Sequence, residues 1–155
     1  MVMGYKRLLL LVFVVMFLQA WLYAQDVTFQ SALSSFEKGA YPESAEAFSK
    51  LLQKSNRDAK LNYYYGAALV ESNQNLSEAI KRLKFAQLNK GGANVAFFQG
   101  RAAQLNYEFE QAIDFYTRYL KLGKNKGLVA RANSYLKQCQ ASVPLSAKIF
   151  DIKVL

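Results

Sequence analysis

The sequence predicts an all-α protein of repeated helix pairs, on three observations. Apolar residues recur at helical spacing through most of the chain. The small residues Ala32, Gly66 and Gly100 stand 34 apart, each in the middle of such a segment. There is a single cysteine, Cys139, so no internal disulfide is available and packing must hold the fold together.

The first residues are set apart from the fold. Lys6 and Arg7 precede an unbroken apolar run, Leu8 to Leu18, followed by "QAWLYAQD". A basic start, a short apolar stretch and a small residue before the cut describe a secretory signal, residues 1–24, cleaved after Ala24. Cleavage after Ala20 is the second option, because Leu22 is large for its place. The run falls short of the about 20 apolar residues that a membrane span needs. Extending it through Tyr23 admits Gln19, and an uncleaved inner-membrane anchor is the alternative.

The remainder forms one repeat domain, 25–141, with units at about 25–58, 59–92 and 93–126, a cap at 127–141 and a tail at 142–155. The second helices of the units align Tyr41, Leu76 and Phe109, then Ala45, Ile80 and Ile113, then Phe48, Leu83 and Tyr116, then Leu51, Ala86 and Tyr119. The turn "SNQN" adds one residue to the second unit. Gly39 suits a left-handed helix stop and Pro42 the first turn of the next helix, where its missing N–H costs nothing. Asn75 with Glu78 predicts a capping-box variant. Gly91, Gly92 and Gly123 fall at helix ends.

A 34-residue period with two helices per unit resembles the tetratricopeptide repeat, over about 25–126. Thr28, Asn62 and Ala96 depart from the large aromatic usual early in the first helix, and Ser44 stands where later units have Ala79 and Ala112. "GLVARANSYLKQCQ" keeps helical spacing without a partner helix and is expected to cap the apolar end of the array. In the tail, Phe150, Ile152 and Val154 alternate with other residues, which predicts a strand. Signal, short array, "YLKQC" and strand together resemble the N-terminal part of exported OmpA-family envelope proteins of the Bacteroidota, whose further domains are not in this sequence.

Catalytic chemistry finds little support. Histidine, the commonest general base and metal ligand, is absent. The SxxK pattern occurs at Ser35–Lys38 and at Ser134–Lys137 without its SDN and KTG companions. Glu108 and Glu110 complement a helix start. No phosphate loop or metal-spaced cluster is present, and no cofactor is expected. A small periplasmic enzyme or accessory subunit is the rival reading, resting on the SxxK pairs, and acyl-probe labelling at Ser35 or Ser134 would favour it.

Two surfaces remain as candidates. The formal charge is +9, and from Asp114 to Asp151 there is no intervening acid. Lys121, Lys124, Lys126 and Arg131 form the expected basic surface, suited to an acidic partner or anionic lipid. Nucleic acid is not the expected partner, because an exported chain seldom meets it.

The resemblance to tetratricopeptide proteins implies a concave groove lined by the first helix of each unit and receiving a protein or peptide partner. Carried over, its lining is Phe29, Leu33 and Phe36, then Tyr63, Ala67 and Val70, then Phe97, Arg101 and Gln104. The lysines and asparagines with which part of that family grips a C-terminal carboxylate are missing; Phe29, Leu33 and Tyr64 stand there instead. The expectation is an exported, non-catalytic scaffold of the periplasm or outer membrane.

Overall fold

The structure is a computed structural model that describes residues 27–153. Seven helices follow one another among the described residues: α1 Phe29–Glu37, α2 Tyr41–Lys54, α3 Ala59–Glu71, α4 Leu76–Leu88, α5 Val95–Leu105, α6 Phe109–Leu122 and α7 Lys126–Lys153. The expected signal segment lies outside the described residues. No described helix is long and apolar enough to cross a membrane.

Local chemistry sets the helix ends. Thr28 caps α1: its Oγ1 accepts the Ser31 N–H at 3.1 Å, while Ser31 Oγ accepts the Thr28 N–H at 3.1 Å. Gly39 takes φ +79° between α1 and α2, a region closed to most side chains. Pro42 stands in the first turn of α2. At α4, Asn75 Oδ1 accepts the Glu78 N–H at 3.2 Å. Glu78 does not return the bond; its carboxylate holds Arg82 Nε at 2.6 Å instead.

Each first helix packs on its second, α1 with α2, α3 with α4 and α5 with α6, and successive pairs stack. The small residues of the 34-residue register are the points of closest approach. Ala32 is fully buried beside Phe48. A Cβ on Gly66 would lie 2.8 Å from Leu83 Cγ, and one on Gly100 2.8 Å from the Tyr116 ring. In the first unit Ser44, where alanine stands later, donates from Oγ to the Ala32 carbonyl at 3.1 Å, so this departure is satisfied inside the core.

The expected strand in the tail is corrected to helix: α7 runs on to Lys153 with Pro144 inside it. Three alternating apolar residues are a short signal, and Leu145, Ile149 and Ile152 also fit helical spacing. The first part of α7 packs on α6 and α5, as expected of the cap, and its buried Ala132 and Cys139 join the core. Burial raises the Cys139 thiol above its ordinary pKa, consistent with a packed and unreactive sulfur.

Candidate functional site

The inner helices line an open cavity of about 390 Å³ with walls from α1, the start of α2, α3, the start of α5 and the start of α7. Leu33 and Phe36 form one side, Tyr63, Tyr64 and Phe98 the floor, and Leu128 with Arg131 the far side. The rings meet edge to face: Phe36 with Tyr64 at 5.5 Å, Phe36 with Phe98 at 6.3 Å, Tyr63 with Phe98 at 5.8 Å. Such contacts add to area burial and fix ring orientation. The floor is therefore a set of aromatic faces rather than a flexible apolar surface.

Tyr63, Tyr64 and Asn94 also line a second cavity of about 550 Å³, bounded by Lys60, Lys90 and the Gly91–Gly92 loop. These three residues line both cavities, and the two cavities with this shared wall make up the inner channel. Lys60 Nζ sits 4.3 Å above the Phe29 ring at that end. The opposite end carries Glu37 and an ion pair, in which Arg131 Nη2 donates to Glu71 Oε1 at 2.7 Å and Oε2 at 3.0 Å.

Charge and protonation follow from this packing. Burial holds the Tyr63 hydroxyl far above its ordinary pKa, and burial with the nearby Glu37 charge raises that of Tyr64. Both stay protonated at neutral pH and can donate hydrogen bonds. Burial works against the Arg131 charge, yet hydrogen bonds to Tyr135 and Glu71 and the Glu71 charge raise its pKa overall.

Of the sequence-derived groove residues, Leu33, Phe36 and Tyr63 line the channel, and Phe29 stands near its basic end beneath Lys60. Ala67, Val70 and Phe97 are buried between helices. Arg101 and Gln104 face α7, where Arg101 lies 4.7 Å from the Tyr135 ring and Gln104 Oε1 accepts the Tyr116 hydroxyl at 2.9 Å. Tyr64 lines the channel beside Tyr63, and the largely buried Phe98 reaches it one position along from Phe97, a helical step of about 100°.

The four residues of the expected basic surface sit in two environments. Lys121, Lys124 and Lys126 are exposed, but Arg131 is half-buried, paired with Glu71 and stacked over Phe97 at 5.0 Å. Among the described residues no group of acidic or cysteine side chains is placed to hold a metal.

No family model matches the chain, and no curated protein does either. Among solved structures it is similar to the Yersinia enterocolitica type III secretion chaperone SycD in complex with a peptide of the translocator YopD. That similarity has a TM-score of 0.59 at 18% sequence identity, covering 73% of this chain and 89% of that one. The likeness is one of fold, an all-helical array of tetratricopeptide type.

Proposed function

We propose that the chain is an exported, non-catalytic scaffold of the bacterial cell envelope that captures an extended peptide segment of a partner protein in its inner channel. The ring-floored channel carries this reading. Fixed aromatic faces supply contact area with little entropy left to lose, and the phenol hydroxyls and the Asn94 amide can meet a peptide backbone. The peptide held by the SycD structure supports a peptide as the kind of occupant. The apolar run behind Lys6 and Arg7 supports export, and the OmpA-family resemblance supports the envelope.

A second reading, contact with an anionic membrane surface, is favoured by exposed Lys121, Lys124 and Lys126. The two separate experimentally. A peptide selected by display against the immobilised chain is titrated against Phe36→Ala with Tyr64→Ala, and against Lys124→Glu with Lys126→Glu. Truncating a hot-spot aromatic costs about 2 kcal/mol, roughly thirtyfold in affinity, whereas exposed charges act mainly on association rate and salt dependence. Capture abolished by the lysine pair and untouched by the aromatic pair would transfer the function to the basic end. Circular dichroism of the aromatic pair checks that the array still folds.

A further inference from the structure

The second half of α7 carries the signature of a repeat helix. "YPESAEAF", Tyr41–Phe48, opens α2, and "VPLSAKIF", Val143–Phe150, lies three 34-residue periods downstream. Pro42 matches Pro144, Ser44 matches Ser146, Ala45 matches Ala147 and Phe48 matches Phe150. These are the first-turn proline, the small pair and the large apolar residue of a second helix. Their order and spacing are unchanged.

The first half of α7 already occupies the place of a first helix. Phe97 meets Arg131, Arg101 meets Tyr135, and Gln104 Oε1 and Nε2 bond Tyr116 and Gln138. Phe97 with Arg131, Arg101 with Tyr135 and Gln104 with Gln138 are all pairs one period apart. In the same register Ser134 follows Ala32, Gly66 and Gly100, the small residues that receive Phe48, Leu83 and Tyr116 from their second helices. Ala130, Ser134 and Lys137 are exposed on that side of α7. Phe150 stands in register with Phe48 and Tyr116.

What differs is the turn. The three complete units break between their helices with a residue at positive φ: Gly39, Asn73 and Tyr107. The matching position is Ala141, within "QAS", which is better suited to continued helix than to the left-handed region. Pro144 still withholds one backbone hydrogen bond, which weakens the helix where a second helix would start.

We propose that residues 143–153 form the second helix of a fourth repeat and dock on the Ser134 face of their own chain's α7 when it breaks at residues 140–142. The continuous α7 and the hairpin are then two arrangements of one segment, with Ala141 as the hinge. The hairpin covers the end of the array with a repeat helix, as α2, α4 and α6 cover α1, α3 and α5.

The test is a distance. Spin labels are placed at Lys126→Cys and Asp151→Cys in the full chain with Cys139→Ala, and pulsed electron resonance reads their separation. A straight helix puts 25 steps between them, about 37 Å at about 1.5 Å per residue. A hairpin brings the start of one helix beside the end of the next, under about 20 Å, since packed helices lie roughly 8–10 Å apart. The short population should be present and should grow with Ala141→Gly, which removes the cost of positive φ. It should vanish with Ser134→Leu.

Long distances alone, in Ala141→Gly as well, would overturn the proposal. A short distance that persists in Ser134→Leu would overturn the docking site. A short distance lost on dilution with unlabelled chain would show that a second copy fills the face, overturning closure within one chain.

Discussion

Gly100→Ala opposes two effects of known size. An alanine in a helix interior is favoured over glycine by about 1 kcal/mol. Here the new Cβ would lie 2.8 Å from Cδ1 and Cε1 of Tyr116 and 3.1 Å from its Cγ. The ring has no room to retreat: Tyr116 is fully buried, lies 6.0 Å from Phe97 and 5.9 Å from Tyr135, and its hydroxyl is anchored on Gln104. Overpacking of this kind costs about 1–3 kcal/mol. With the ring locked the cost falls in the upper part of that range, about 2–3 kcal/mol, so the expected net is a loss of about 1–2 kcal/mol, read as a lower urea midpoint by circular dichroism at unchanged slope. Gly127→Ala is the control, because its Cβ meets nothing nearer than Asn125 Oδ1 at 3.4 Å. It should be neutral or stabilising. A Gly100→Ala protein as stable as the parent would refute the claim that Gly100 is fixed by helix approach.

Gln99 is buried, donates from Nε2 to Gln87 Oε1 at 2.9 Å and leaves its own Oε1 without a partner. Gln99→Met should therefore be neutral or stabilising in a thermal melt, and a loss beyond about 1 kcal/mol would show that the amide matters more than its bonding indicates. Tyr63 and Tyr116 have folded-state pKa values raised by burial, so their contribution is complete below about pH 10 and falls as pH rises above it. Stability should drop by up to about 1.4 kcal/mol per pH unit for each of them, and Tyr116→Phe should lessen the fall of the urea midpoint between about pH 10 and 12. Export should leave a mature N-terminus near Gln25, checked by N-terminal mass spectrometry; Met1 or Val2 recovered in a membrane fraction would instead mean an anchor.

The repeat register was legible because close approach of two helices demands a small residue, and Ala32, Gly66 and Gly100 keep one interval. The extra residue of the second turn was legible too, and Ser72–Asn75 is one residue longer than the turns Lys38–Ala40 and Asn106–Glu108. The groove lining was harder to phase. In α3 the stretch "LNYYYGAALV" is buried or half-buried throughout, so no polar side marks which face is inward. Tyr64 and Phe98 join Tyr63 on the channel, while Val70 and Phe97 are buried away from it. Arg131 looked like one more solvated charge in a basic run, because its partner Glu71 lies on another unit and no local spacing connects them. The tail failed for a different reason: a short alternation outweighed a helix signature that becomes visible only when Pro144 is compared with Pro42 across the whole array.

Arrays that touch only their neighbours can lose an end unit while the rest stands. Two contacts here skip a unit: Phe36 reaches Phe98 from the first to the third, and Arg131 reaches Glu71 from α7 back to the second. Releasing α1 or α7 therefore withdraws support from a helix that is not its neighbour. The outer helices and the middle should exchange their protected amide hydrogens in one concerted opening rather than in succession from the ends, and an occupant of the channel, touching both ends at once, would slow that exchange everywhere.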